Sequence, residues 1–178
     1  MKGRNGVYFR REDYASFWVR VLVDLIDLLA FAALCVALTA PMFMILPWSR
    51  STFNLLLLAW VAIALSYFVV LKRSRFRTVG YRVGRVTIVG LDGQAASYLS
   101  LVLRLMFGML GPLYWLVDLT WLSNDRNRQA LRDKFAGTYV VKANAKPAGQ
   151  GRIVFRYYEI WFYNCLFREV DVDPSMIT

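Results

Sequence analysis

Residues 16–38, SFWVRVLVDLIDLLAFAALCVAL, constrain this chain more than any other stretch. Its apolar body, from Phe17 to Ala40, makes a helix of roughly 36 Å at ~1.5 Å per residue, enough to cross a ~30 Å hydrocarbon core with some tilt. Yet Arg20, Asp24 and Asp27 lie inside it. Spaced by four and then three residues, the three side chains share one helical face. An unpaired charge near the middle of a span costs ~2.5 to 3.5 kcal/mol on insertion scales, so this stripe must face protein or a polar cavity rather than lipid. Counted from Phe17, Asp27 is expected near the bilayer midplane.

The rest of the composition agrees with a membrane setting, since 58% of the 178 residues are hydrophobic and 16% aromatic. One domain is the default at this length. The net charge of +10 has a local explanation. Basic residues crowd beside the apolar stretches, as MKGRNGVYFRRED, LKRSRFRTVGYRVGR and NDRNRQALRDK, where the positive-inside rule and anionic headgroups place them. The expected partner is therefore a lipid bilayer with anionic headgroups, and no nucleic acid. There is no histidine, and Cys35 and Cys165 are far apart in sequence, so neither a disulfide framework, a zinc site nor a haem ligand is expected. No cofactor, no metal and no enzymatic activity are expected, because a nucleophile motif, a phosphate loop and a ligand cluster are all missing from the sequence. The first apolar run is too long for the h-region of a signal peptide, so the span is expected to be retained.

Phe53 to Leu71 reads as a second span. The intervening PMFMILPWSRST has Arg50 as its one basic residue and reads as an outside-facing turn, while LKRSRFR marks the cytoplasmic end. Ala33 with Ala37, and Ala62 with Ser66, have the small-residue spacing that permits close helix approach, although a lipid-facing role is equally compatible. From Thr78 the texture turns β-branched, with an Asp92-Gly93 turn, and predicts a strand and hairpin outside the lipid. Tyr98 to Leu122 carries Arg104 and Asp118 and is broken at Gly108, Gly111 and Pro112. It forms either a third crossing or a re-entrant pair of short helices. The re-entrant form is preferred because it keeps the basic NDRNRQALRDK on the cytoplasmic side. A short polar helix follows, then TYVVK, a strand that could pair with Val86 to Val89. Residues 143–151 read as a polar linker. The aromatic segment 152–178, with Tyr157, Tyr158, Trp161, Phe162 and Tyr163, reads as an interfacial helix or a docking tail. The expected fold is all-α and integral to the membrane: two transmembrane helices plus a re-entrant or third membrane helix, with a small cytoplasmic β-hairpin. The expected organisation is a membrane domain over 1–142, the linker, and the tail.

Arg20 and Asp27 in FWVRVLVDLIDLL, Thr78, Gly80 and Gly84 in TVGYRVGRVTIVGLDG, and Asp133 in LRDKFAGTYVV together resemble the RDD family, small bacterial membrane proteins named for one arginine and two aspartates. The likeness covers Ser16 to about Lys142. It implies a bacterial membrane protein, and the charge pattern puts the N-terminus and basic loops on the cytoplasmic side of the cytoplasmic membrane. It also implies transport of an unknown ligand, including cation/proton exchange. Asp24 is an addition to the pattern, LRD stands where the family often has a histidine before its aspartate, and the aromatic tail lies outside it.

The charged set Arg20, Asp24, Asp27, Arg104, Asp118 and Asp133 supports two readings. In one, Arg20 and Arg104 neutralise Asp27 and Asp118 or Asp133 and lock a small bundle. In the other, Asp24 and Asp27 form a cation or proton site, and a chain this short without internal repeats would then transport as an oligomer. The function expected first is a non-catalytic accessory subunit packed against other membrane subunits or against itself. An Arg20–Asp133 contact separates the topologies, since a third crossing would hold these residues about 30 Å apart.

Overall fold

Two helices long and apolar enough to cross a membrane stand together in the computed structural model, which describes residues 5–45, 47, 49–125, 128–160 and 163–171. The first, α1, runs Phe17–Ile45. The second, α2, runs Arg50–Leu65 and continues as a π-helix through Ser66–Leu71. The Ser49 hydroxyl caps α2 by accepting from the Thr52 amide at 3.2 Å, and Phe31 of α1 packs on Tyr67 and Phe68. The most apolar window of each helix is only 17% buried within the chain, whereas the core helix of a soluble protein would be largely covered. Leu29, Val36, Phe53 and Leu58 all point away from the protein.

The two helices are not level. Asp27 lies 3.7 Å from Lys72, one residue beyond the π-helix, so it stands at the foot of α2 and not at the depth of its middle. Counting depth from Phe17 placed Asp27 too deep, because the first eleven residues of α1 extend past α2, with one face, Arg20, Val23 and Asp27, packed on protein. Their partner is the short helix α3, Val79–Val83. Here Gly80 lies against the Val23 carbonyl, where any β-carbon would collide.

The expectation of an all-α fold is overturned by five strands in two sheets among the described residues. One is the two-stranded pair expected from the sequence: β2, Val86–Gly90, lies antiparallel to β3, Thr138–Lys142, in register from Val86 opposite Lys142 to Gly90 opposite Thr138. Between these strands the chain makes α4, Tyr98–Gly108, α5, Pro112–Asn124, and α6, Leu131–Ala136. Because β2 and β3 are hydrogen-bonded neighbours, the chain returns to the place it left, and α4 and α5 form a helical hairpin with no third crossing. At ~1.5 Å per residue they are about 16 and 20 Å long, each short of a ~30 Å core. The reversal falls at Gly111, whose φ of +100° suits glycine, and Pro112 opens α5 where its missing N–H is not needed.

The other sheet corrects the reading of the C-terminal segment. β1, Asn5–Tyr8, β4, Gly149–Ile160, and β5, Tyr163–Asp171, pair antiparallel in the order β1-β4-β5. Strand β4 begins inside the stretch read as a linker, with Gly149 opposite Tyr8. The described residues of the segment read as an interfacial helix or docking tail are paired strands because isoleucine, valine, phenylalanine and tyrosine recur in them, side chains that fit a pleated, half-covered surface. Phe155 and Tyr157 face out, 63% and 78% exposed, while Tyr158 turns in to donate to Glu169 at 3.0 Å. Tyr163 starts β5 opposite Ile160; Trp161 and Phe162 lie outside the described residues.

Helix α6 ties this sheet to the helices. Phe135 stacks on Phe107 of α4 and meets Phe167 of β5 edge-on, and buried Lys134 pairs with Asp125 and Glu169. Burial alone would lower the Lys134 pKa, but the two carboxylates outweigh it and raise the value. The pair's contribution is thus complete at neutral pH and is lost only as pH climbs through that raised value. Two apolar cores result, one around Val23, Tyr81, Ile88 and Leu101 beneath the helices, and one around Phe9, Tyr14, Tyr139 and Val170 between the sheets.

The shared β2–β3 base sets an expected labelling pattern. In a background lacking Cys35 and Cys165, exposed cysteines introduced by Asp92→Cys and Asn144→Cys should react with an impermeant maleimide from one face of the membrane, and Ser51→Cys from the other. Labelling of Asp92→Cys and Asn144→Cys from opposite faces would refute the helical hairpin.

Candidate functional site

The charged residues fall into three linked groups where α1, the foot of α2, α4 and α6 meet. The deepest centres on Asp133, which is fully buried. Its two carboxylate oxygens accept from Arg20 of α1 and Arg104 of α4, one each, and one also accepts from the Ala130 amide at 3.2 Å, at the start of α6. Arg20 donates further to the Arg128 carbonyl at 2.7 Å and the Ala15 carbonyl at 3.4 Å, and Arg104 to the Thr138 hydroxyl at 2.9 Å. Thr138 is positioned by Gly137, which ends α6 in the left-handed conformation with φ +62° and lets the chain turn directly into β3. The AGT triplet is therefore a helix stop followed by an arginine acceptor.

Asp27 occupies a different kind of setting. The Thr78 hydroxyl and the Gly80 amide each donate to it at 2.7 Å, and the Tyr67 hydroxyl donates at 3.1 Å. Lys72 is the nearest cation. The π-helix brings Tyr67 and Lys72, five residues apart, to the same carboxylate. These donors satisfy the buried carboxylate without a direct arginine partner. The Thr-x-Gly spacing is explained: threonine supplies a hydroxyl, and glycine supplies both an amide and room for Val23.

The third group lies between them. Arg132 of α6 pairs with Asp24, approaches Asp118 of α5 at 3.0 Å, and donates its own amide to Asp118 at 2.8 Å. Burial acts to lower the Arg132 pKa, but Asp24 and Asp118 prevail and raise it, so its charge is permanent.

Four cations, Arg20, Lys72, Arg104 and Arg132, thus meet four carboxylates, Asp24, Asp27, Asp118 and Asp133. Several pairings differ from those expected. Arg20 and Arg104 both serve Asp133, Asp118 takes Arg132, and Asp24 and Asp27 are held by separate partners. The Arg20–Asp133 contact that separates the topologies is present. Lys72 and Arg132 were missed because a basic residue flanking an apolar run reads as a topology signal, and Tyr67 because it sits within such a run. Among the described residues no group of three or more acidic or cysteine side chains gathers as a metal-binding set. Asp24, Asp27, Lys72, Arg104 and Arg132 form one wall of a cavity of about 340 Å³, whose other walls include Phe31, Trp60, Phe68 and Met109.

The RDD family model matches residues 14–137, more than half of the chain and the part that contains all three groups. No curated protein and no solved structure matches.

Removing one partner from a buried ion pair leaves an uncompensated charge, so Asp133→Asn should cost about 3 to 5 kcal/mol. Unfolding in detergent measures this. Combining Asp133→Leu with Arg20→Met and Arg104→Met should recover much of the loss, which an unstructured role for the pair would not allow. Gly80→Ala should destabilise by about 1 to 3 kcal/mol through overpacking against Val23, whereas the same change at Gly108, which faces open space, should be close to neutral or stabilising.

Proposed function

The chain belongs to the RDD family and is a small membrane protein; from that premise we propose that it is a non-catalytic accessory subunit of a larger membrane assembly. The observation that carries this reading is the balance of the charged seam. Each of its carboxylates already holds a cation or a set of donors, so the seam acts as an internal lock. The apolar faces of α1 and α2, by contrast, are left for lipid or neighbouring subunits. On this reading the outward side chains Phe155 and Tyr157 of β4 contribute to docking. The protein resides in the bacterial cytoplasmic membrane with the β2–β3 base on the cytoplasmic side, supported by the six basic residues Lys72, Arg73, Arg75, Arg77, Arg82 and Arg85 that follow α2, against Arg50 at the other end.

The cavity favours a second reading, transport of a cation, a proton or a small ligand. It joins charged groups to an apolar enclosure between helices, which is where such sites are built in membrane proteins.

Mild-detergent purification of the full chain followed by mass spectrometry should recover other membrane subunits in fixed ratio. Recovery of homo-oligomers alone would defeat the subunit reading. Phe155→Ser with Tyr157→Ser should reduce that recovery severalfold without changing the melting temperature. In liposomes the protein should give no cation-dependent proton flux; a flux abolished by Asp27→Asn would establish transport instead.

A further inference from the structure

The basic residues after α2 do more than follow the apolar run. Arg75, Arg77, Arg82, Arg85 and Lys142 surround a cleft of about 560 Å³ whose remaining lining residues are Phe76, Gly84, Ala143 and Asn144, with no carboxylate among them. None of the five cations forms an ion pair among the described residues. That contrasts with the seam, where every cation is matched. Like charges gathered around a concavity repel one another, and the repulsion is relieved when an anion enters.

The backbone points the same way. Arg77 and Arg85 both have positive φ, 55° and 51°, a conformation that side-chain-bearing residues other than asparagine and aspartate seldom adopt and that concentrates at binding sites. Both are held there. The Arg77 amide donates to the Ser74 carbonyl at 3.2 Å and its guanidinium to the Val86 carbonyl at 3.3 Å. The Arg85 carbonyl accepts from the Ala143 amide at 2.8 Å, which joins the two walls of the cleft. The cleft is thus fixed by β2 and the end of β3.

We propose that this cleft is a binding site for a phosphate-class anion, with the phosphodiester headgroup of an anionic phospholipid as its occupant. Arginine recognises phosphate oxygens through paired N–H donors, and several arginines distribute the charge over one group. The location selects a lipid. Arg75 is four residues past Leu71, where the apolar helix ends, and Phe76 beside it is 62% exposed. A headgroup seated here leaves its acyl chains alongside α2. Free phosphate shares the chemistry and lacks the chains.

The full chain in dodecylmaltoside, examined by native mass spectrometry, separates these sources. Phosphatidylglycerol should bind at least tenfold more tightly than phosphatidylcholine with the same acyl chains. Arg82→Gln with Arg85→Asn, the asparagine chosen because it tolerates positive φ, should remove that preference while leaving the melting temperature unchanged. Arg75→Gln with Lys142→Gln provides an independent pair from the same cleft. Equal retention of the two lipids, or an undiminished preference in both double variants, would overturn the proposal. Inorganic phosphate at millimolar concentration should not displace phosphatidylglycerol. Displacement would overturn the lipid as occupant and assign the site to a soluble phosphate.

Discussion

Asp133 holds two arginines that come from different helices, and the architecture depends on that arrangement. A carboxylate can accept in two directions, and its two oxygens here bind Arg20 at the start of α1 and Arg104 in the middle of α4. Both guanidiniums are buried, so without the acid two cations would stand uncompensated, and the acid could not be buried without them. The interaction joins α1 and α4 to α6 at one point. Through Thr138 it also ties this point to β3. Asp133 follows Ala130 by three residues and accepts its amide, so the same side chain also starts the helix that carries it.

Around that hub the protein divides by solvent. Toward the far ends of α1 and α2 the side chains are mostly apolar, and few of them are covered by the protein itself. Toward the near ends, every buried charge is met by a partner, and two antiparallel sheets close the base. The π-helix lies at the boundary between these regimes, where α2 leaves the apolar zone and must deliver both Tyr67 and Lys72 to Asp27. A regular α-helix places residues five apart on different faces, and the wider turn removes that conflict. A basic cleft with unmatched charge lies just beyond, on the outer side of the same loop.

Much of this was legible in the chain itself. The two apolar helices, the β2–β3 pairing and the break at Gly108 to Pro112 each follow from local pattern. Arg20, Asp24, Asp27, Arg104, Asp118 and Asp133 each meet a partner where the helices converge, as charges in an apolar run must. The C-terminal sheet was less legible, because no Asn-Gly or Asp-Gly pair marks a turn in this stretch of sequence and its aromatic content resembles that of an interfacial helix. The depth of Asp27 was misjudged for a related reason: hydropathy gives the length of a run but not which part of it faces lipid.

The sequence by itself determined that this chain has two membrane-length helices, that charges within the first must be buried against protein, and that a strand pair accompanies them. Those are consequences of hydrophobic period and of the cost of charge in hydrocarbon, which act on each segment separately. Only the tertiary structure decided which acid meets which base. A carboxylate's partner depends on elements separated by more than a hundred residues, as Arg20 and Asp133 are. Their meeting is set by the packing of α1, α4 and α6, with short-range geometry selecting among charges that sequence alone makes equivalent.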